Sequence, residues 1–477
     1  MKSSITPNFA PRISHSGGRL LGGILIAASV LAAARCTDRD QGRLARRILE
    51  DHRARSRVKP LPAAQVIRLR LRAISTGATG DEMIEWDEGN YRETVSSACW
   101  KTVRGIQAGK EYFSDEDGVT RVTSDPLRFE LRTRAYFWRR GYLFDNQQGA
   151  RVDLGPADGA SVSVRVTPRG GDPLLLTFDR RDLRLLGARA RHFELVFASP
   201  THLRDSSRRE SPVDVEILWN GLPTGSLADT TVGGWTGRWS GKPIPVALSR
   251  LGRALTIPAR VSGQTVRLAL DASQDGPLRV RDSVADRLGL AFTDDVYGRR
   301  VARGARLEIG EVSFSSLVVG RTASLPEGID AEAGGTLLRE TVVELNPEAG
   351  SLRLHDPARW VIPEGFFRGL LDDDGNRAVA ILQRKGERLR LLGPTAVPGA
   401  LVLIPAAAKR FGLSEESRRV RGFHWGAPLP ELSVVIGSDS EADFGEDGRL
   451  GWDLALAFHA FVDLPHRWVY LKPLARR

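Results

Sequence analysis

The residues of this 477-residue chain that could do chemistry sit in one short turn, Asp271-Ala272-Ser273, at the end of the apolar run Val266-Arg267-Leu268-Ala269-Leu270. A carboxyl held at such a turn can take or give a proton. The turn belongs to a longer pattern, because Gly263 to Leu290 recurs as Gly386 to Leu413 with nine of 28 paired positions identical. Among the identities are Gly263/Gly386, Arg267/Arg390, Gly276/Gly399, Ala285/Ala408 and the closing Gly-Leu, so the chain is read as carrying a duplicated unit. Register sets Pro394, flanked by Gly393 and Thr395, against Asp271. No Asp or Glu lies between Arg388 and Ser414 in the second copy.

Each copy predicts an apolar strand, a tight turn, a second short strand and a helical turn ending at Gly-Leu. Later segments repeat as well. Glu332-Ala333-Gly334, Leu338, Val342 to Asn346 and Leu352 to Pro357 have counterparts in Leu450 to Asp453, Val462-Asp463 and Tyr470 to Pro473. On these residues the region from about 245 to 475 resembles the retropepsin-like aspartic peptidases: a strand, Asp-Thr/Ser-Gly, a strand, and then an A-x-x-L-G-L segment. The resemblance implies two lobes, 246–360 and 376–475, in a pepsin-like pseudo-dimer, each offering one carboxylate to a pair that shares a proton. Here the pattern is broken. Pro394 stands where the second acid is expected, Ala272 has no hydroxyl to send across the lobes, and Ser273 replaces a Gly that lets backbones approach closely. Asp271 is therefore the one candidate catalytic residue, with Ala272 and Ser273 as its neighbours and Pro394 and Thr395 opposite.

Ahead of these lobes, Gln41 to Arg57 has helical spacing, and Val66 to Trp219 is strand-rich. It shows alternation at Val66 to Leu71 and Ser161 to Val166, and a hairpin signal at Asp117-Gly118. This order resembles the lipoprotein-carrier-like (LolA-like) half-barrel. The expected fold is thus mainly β: an antiparallel half-barrel with helix over 40–220, a linker over 221–245, and two tandem retropepsin-like β-barrel lobes. Asp372-Asp373-Asp374, between the lobes, lacks the alternating ligands and closing Glu of a calcium loop and reads as a polar turn.

Residues 1–34 combine Lys2, Arg12 and Arg19 with the apolar run Leu20 to Ala34, the layout of a signal peptide cleaved after Ala34 or of an N-terminal anchor. Export to the periplasm or cell envelope follows, and there Cys36 and Cys99, the two cysteines, can form a disulfide. The net charge of +11 is mostly Arg and scattered among acids, which argues against nucleic-acid binding. Arg35 to Arg72 concentrates basic residues and suits peripheral association with an anionic membrane. The eight His have no metal-ligand spacing and no nucleotide motif occurs, so no metal and no cofactor are expected. His424, beside Trp425, falls where the second lobe could carry a substrate-covering hairpin.

Three functions stay open. One is a catalytically impaired peptidase homologue that binds a peptide or partner segment between its lobes. Another is an active aspartic endopeptidase using Asp271, for example by pairing two copies of it across a dimer. The third is an envelope carrier holding an acyl chain or lipid in the half-barrel.

Overall fold

The computed structural model describes residues 38–474, apart from 58, 119, 124, 145–148, 192, 200, 207–211, 222–236, 240–241, 275, 277, 375–376, 415–418 and 438–445. The protein is mainly β, as its alternation predicts. Thirteen antiparallel strands between Gln65 and Gly221 form one meandering sheet, in which the first strand, Gln65–Ala73, closes against the last, Val213–Gly221. Alternation in Gln65–Ala73 buries Ile67, Leu69 and Leu71 and leaves Arg68, Arg70 and Arg72 outside. The buried face is covered by the helices Asp38–Ser56 and Asp125–Trp138, around a core that includes Ile48, Trp86, Leu131, Phe178 and Phe193. But for Gly221, this sheet lies within the 40–220 stretch expected to be a half-barrel.

The two copies then repeat one topology. In the first, Gln264–Leu270 runs parallel to Ala331–Ala333, which is antiparallel to Leu278–Arg281; that strand in turn runs parallel to Val312–Thr322. In the second, Glu387–Thr395 runs parallel to Gly448–Gly451, which is antiparallel to Leu401–Leu403, itself parallel to Leu432–Ile436. The copies also share a sheet, because Val342–Asn346 of the first pairs with Phe458–Asp463 of the second, Val343 opposite Val462. One apolar core runs through both, from Leu268, Ala272 and Val280 to Leu391, Leu401 and Trp452.

Two stretches expected to be connectors take part in sheets. Gly237–Trp239, at the end of the expected linker, pairs with Val312 to Phe314. Phe367–Asp374 pairs with both Trp468–Pro473 and Arg377–Arg384, so most of the Asp run is a hairpin arm. Ion pairing suits it to that place, since Asp372 meets Arg390 at 3.0 Å.

The thirteen-stranded sheet is fastened to the first copy. The Trp100 ring stacks on Tyr297 at 5.6 Å and its Nε1 donates to Asp295 Oδ2 at 3.1 Å. Val296 N donates to Ser97 Oγ, Val318 N donates to Asp117 Oδ1, and Arg299 joins Asp295 to Glu116. Val296, Val301 and Val318 belong to the apolar core under this sheet.

Candidate functional site

Strand Gln264–Leu270 delivers Asp271 into a turn that is held from both copies. Asp271 N donates to Ala333 O at 3.0 Å, and Trp452 Nε1, from the second copy, donates to Leu270 O at 3.0 Å. Ala272 N donates to Pro394 O at 3.0 Å, and Ala378 N donates to Ala272 O at 2.9 Å. Asp271 and Ala272 thus lie against Pro394 and Thr395. Gly393 permits the second turn, since its φ of 122° belongs to glycine and a Cβ there would press on Leu450 O.

All of the Asp271 carboxylate is engaged. Oδ1 accepts from Ser273 N at 2.9 Å and from Ser273 Oγ at 2.5 Å, while Oδ2 accepts from Thr395 Oγ1 at 2.8 Å. Asp271, Ala272, Ser273 and Thr395 are buried. A paired-acid mechanism needs a second carboxyl here to hold the complementary proton. A neutral hydroxyl occupies the facing position instead. Thr395 is in register with Ala272, so the hydroxyl missing from the first turn is supplied by the second, directed at the acid itself.

The acid whose charge reaches this turn is Glu332, on Ala331–Ala333. Burial pushes its carboxyl up; Arg279, its ion-pair partner, opposes that, and the Asp271 charge adds a smaller upward push. The Glu332 carboxylate is engaged by Arg279. Sequence reasoning took it only as part of a motif; its signal was the neighbouring strand's Arg279, visible only once Glu332 is known to pair with that residue. His424 stays apart: its backbone pairs with Gln383 and its side chain is exposed.

Beside the apolar core under the helices of the thirteen-stranded sheet lies a buried charged network. Glu93, fully buried, accepts from Arg134 Nε at 2.8 Å and Arg104 Nε at 2.5 Å, and from the Tyr91 hydroxyl. Burial opposes the Glu93 charge, but Arg104 and Arg134 outweigh it and hold the group at about 2. Its neighbour Glu82 is pushed up to about 7 by burial and then by the Glu93 charge. Arg132 reaches Glu111 from the same helix as Arg134.

Cys99 is a free thiol whose pKa burial raises, and Cys36 lies outside the described residues, as do the expected signal peptide and its cleavage point. Among the described residues, no helix is long and apolar enough to cross a membrane, and no group of three or more His, Cys, Asp or Glu could hold a metal ion.

No family model and no curated protein matches the chain. Among solved structures, it is similar to a retropepsin-like aspartic protease from Rickettsia conorii, 16% identical over 26% of this chain and 94% of that one, with a TM-score of 0.19. It is also similar to a putative outer membrane lipoprotein-sorting protein domain from Vibrio parahaemolyticus, 10% identical over 39% and 94%, with a TM-score of 0.26. A third is the MucA/MucB complex of Pseudomonas aeruginosa, 13% identical over 61% and 99%, with a TM-score of 0.13. All three scores are low, so the residues themselves have to decide the function.

Proposed function

We propose that this chain is an exported protein of aspartic-peptidase architecture that binds a peptide or partner segment between its two copies and does not cleave it. The observation that carries this reading is the bond from Thr395 to Asp271: with Pro394 in register with the acid, what meets the carboxylate from the second copy is a hydroxyl that cannot hold a shared proton at acid pH. Loss of an acid or base costs about 100- to 10,000-fold in rate, and groups that act as a unit lose most of their effect when one is gone. An active endopeptidase would need a carboxyl from outside this pair. Holding an acyl chain under the helices would require an open apolar hollow, and there the side chains of Ile48, Trp86, Phe178 and Phe193 pack into one core beside the Glu93, Arg104 and Arg134 network. The lobes are assigned to about 246–360 and 376–475, the half-barrel to about 40–220, with cleavage after Ala34.

The test is a digest of unfolded protein substrate between about pH 3 and 6, where a shared proton would reside, by wild type and Asp271→Asn. Neither is expected to give cleavage blocked by a transition-state-mimicking aspartic-peptidase inhibitor. Cleavage that the inhibitor blocks and Asp271→Asn abolishes would overturn the reading. Cross-linking of a photoactivatable peptide library to residues flanking Asp271 and Thr395 is the expected positive result, and N-terminal sequencing of the exported protein checks the cleavage point.

A further inference from the structure

The shared sheet has two unlike faces. One, with Val343, Leu345, Ala460, Val462 and Leu471, belongs to the core that also contains Ala272. The other is crossed by residues 356–366, which are pinned by two aromatic anchors. The Trp360 ring lies 5.1 Å from Tyr470 and 5.7 Å from Phe461; Phe366 packs edge-on against Phe461 at 5.2 Å. Between the anchors Val361 is 80% exposed and Ile362 49% exposed. Leaving two aliphatic side chains at a tip in water is unfavourable, and rigid anchoring keeps them there.

Cations outnumber acids around the tip, where Glu364 is also exposed. Arg368 lies over the Trp468 ring at 5.1 Å and the Tyr470 ring at 5.7 Å, and Lys472 lies 5.8 Å from the Phe366 centroid. Arg359 is 85% exposed and pairs loosely with Asp356 at 3.6 Å. An aliphatic tip above Trp, Tyr and Phe rings, with Arg and Lys among them, has the composition of a side chain set for a bilayer boundary. Val361, Ile362 and the half-exposed Phe367 are together too few for a stable protein interface, which needs about 800 Å² from each partner. Shallow insertion added to charge attraction is enough to hold a protein at a membrane surface.

We propose that residues 359–368 form a membrane-interface contact, in which Val361 and Ile362 enter the headgroup–acyl boundary of an anionic bilayer while Arg359, Arg368 and Lys472 meet lipid phosphates. The experiment uses the full chain with Cys36→Ser and Cys99→Ser, carrying an environment-sensitive fluorophore at Ile362→Cys or, as a remote control, at Arg169→Cys. Phosphatidylglycerol/phosphatidylcholine vesicles are expected to blue-shift the probe at position 362 and expose it to bilayer-embedded quenchers, leaving the probe at position 169 unchanged. Phosphatidylcholine alone should bind at least about threefold more weakly. Val361→Asp should lower partitioning about tenfold. The contact is overturned if the probe at position 362 stays in water while the protein pellets with vesicles, which would mean attachment through another segment, such as the basic stretch Arg35 to Arg72 or a retained N-terminal apolar run. It is equally overturned if no vesicle shifts the probe, which would leave the tip to a protein partner.

Discussion

The turn at Asp271 and the turn at Pro394 have the same scaffold and different chemistry. Both follow a strand that pairs in parallel with a short partner, and both partners end at a glycine that caps a one-turn helix, Gly334 and Gly451. A Cβ on Gly334 would run into the Gly276 carbonyl, and one on Gly451 into the Gly399 carbonyl. The frame is thus reproduced down to a backbone crossing, while one turn keeps its acid and the other has a hydroxyl. Packing constrains the frame whatever the turns do.

The largest expected effect tests the shared frame. Gly334→Ala and Gly451→Ala should each destabilise the protein by about 2–4 kcal/mol, because each pushes a methyl group into a carbonyl with no room to yield. Urea denaturation measures this, and a cost at only one of the two glycines would break the equivalence of the copies.

The chemical difference is tested next. Thr395→Val leaves Asp271 Oδ2 buried without its donor and should cost about 1–3 kcal/mol. In a cycle with Asp271→Asn, a coupling of about 1 kcal/mol is expected; none would mean that the two turns meet without depending on each other.

Two acids outside the turns sharpen the comparison by opposite pH dependence. Asp117, at the contact between the thirteen-stranded sheet and the first copy, is pushed up to about 7 by burial, with the Val318 N–H opposing and Asp115 and Glu116 adding. Its folded pKa is above the ordinary 3.8, so its contribution is full below that value and is lost as pH rises through about 7. Asp117→Asn should flatten the stability curve between those limits by about 1–2 kcal/mol, a modest figure because the side chain keeps some solvent. Thermal melts across pH 4 to 7 that are unchanged by the substitution would count against this contact.

Glu344, in the sheet that both copies build, has the reverse sign. Burial works against its charge, but hydrogen bonds from His355 and His459, helped by Arg353, hold it at about 2. Its contribution is present above the ordinary 4.5 and is lost as pH falls through about 2. Glu344→Gln should lower stability at pH 7 by about 1 kcal/mol and flatten the acid limb, read by the same melts.

Much of the frame was legible because it is written in periods and glycines. The strands Gln264–Leu270 and Glu387–Thr395, the helical turns closing at Gly289 and Gly412, and the approach of Ala272 to Pro394 all follow from register. The strand Phe367–Asp374 was hidden, since three consecutive Asp read as a turn until Arg390, eighteen positions further along, is known to face Asp372. The charged network beneath the helices was hidden for the same reason: Glu93 and Arg134 look like surface residues in a one-dimensional pattern, and a 41-residue separation conceals their pairing.

The sequence by itself determined the β-rich class, the duplication and the single acid of the first turn, because periodicity, glycine placement and residue identity are local properties. Tertiary structure alone decided what faces that acid. Thr395 is 124 positions away and one place out of register with Asp271, and only the docking of one copy on the other turns its hydroxyl toward the carboxylate. A hydrogen bond between distant segments depends on where two backbones cross, and no local preference encodes that crossing.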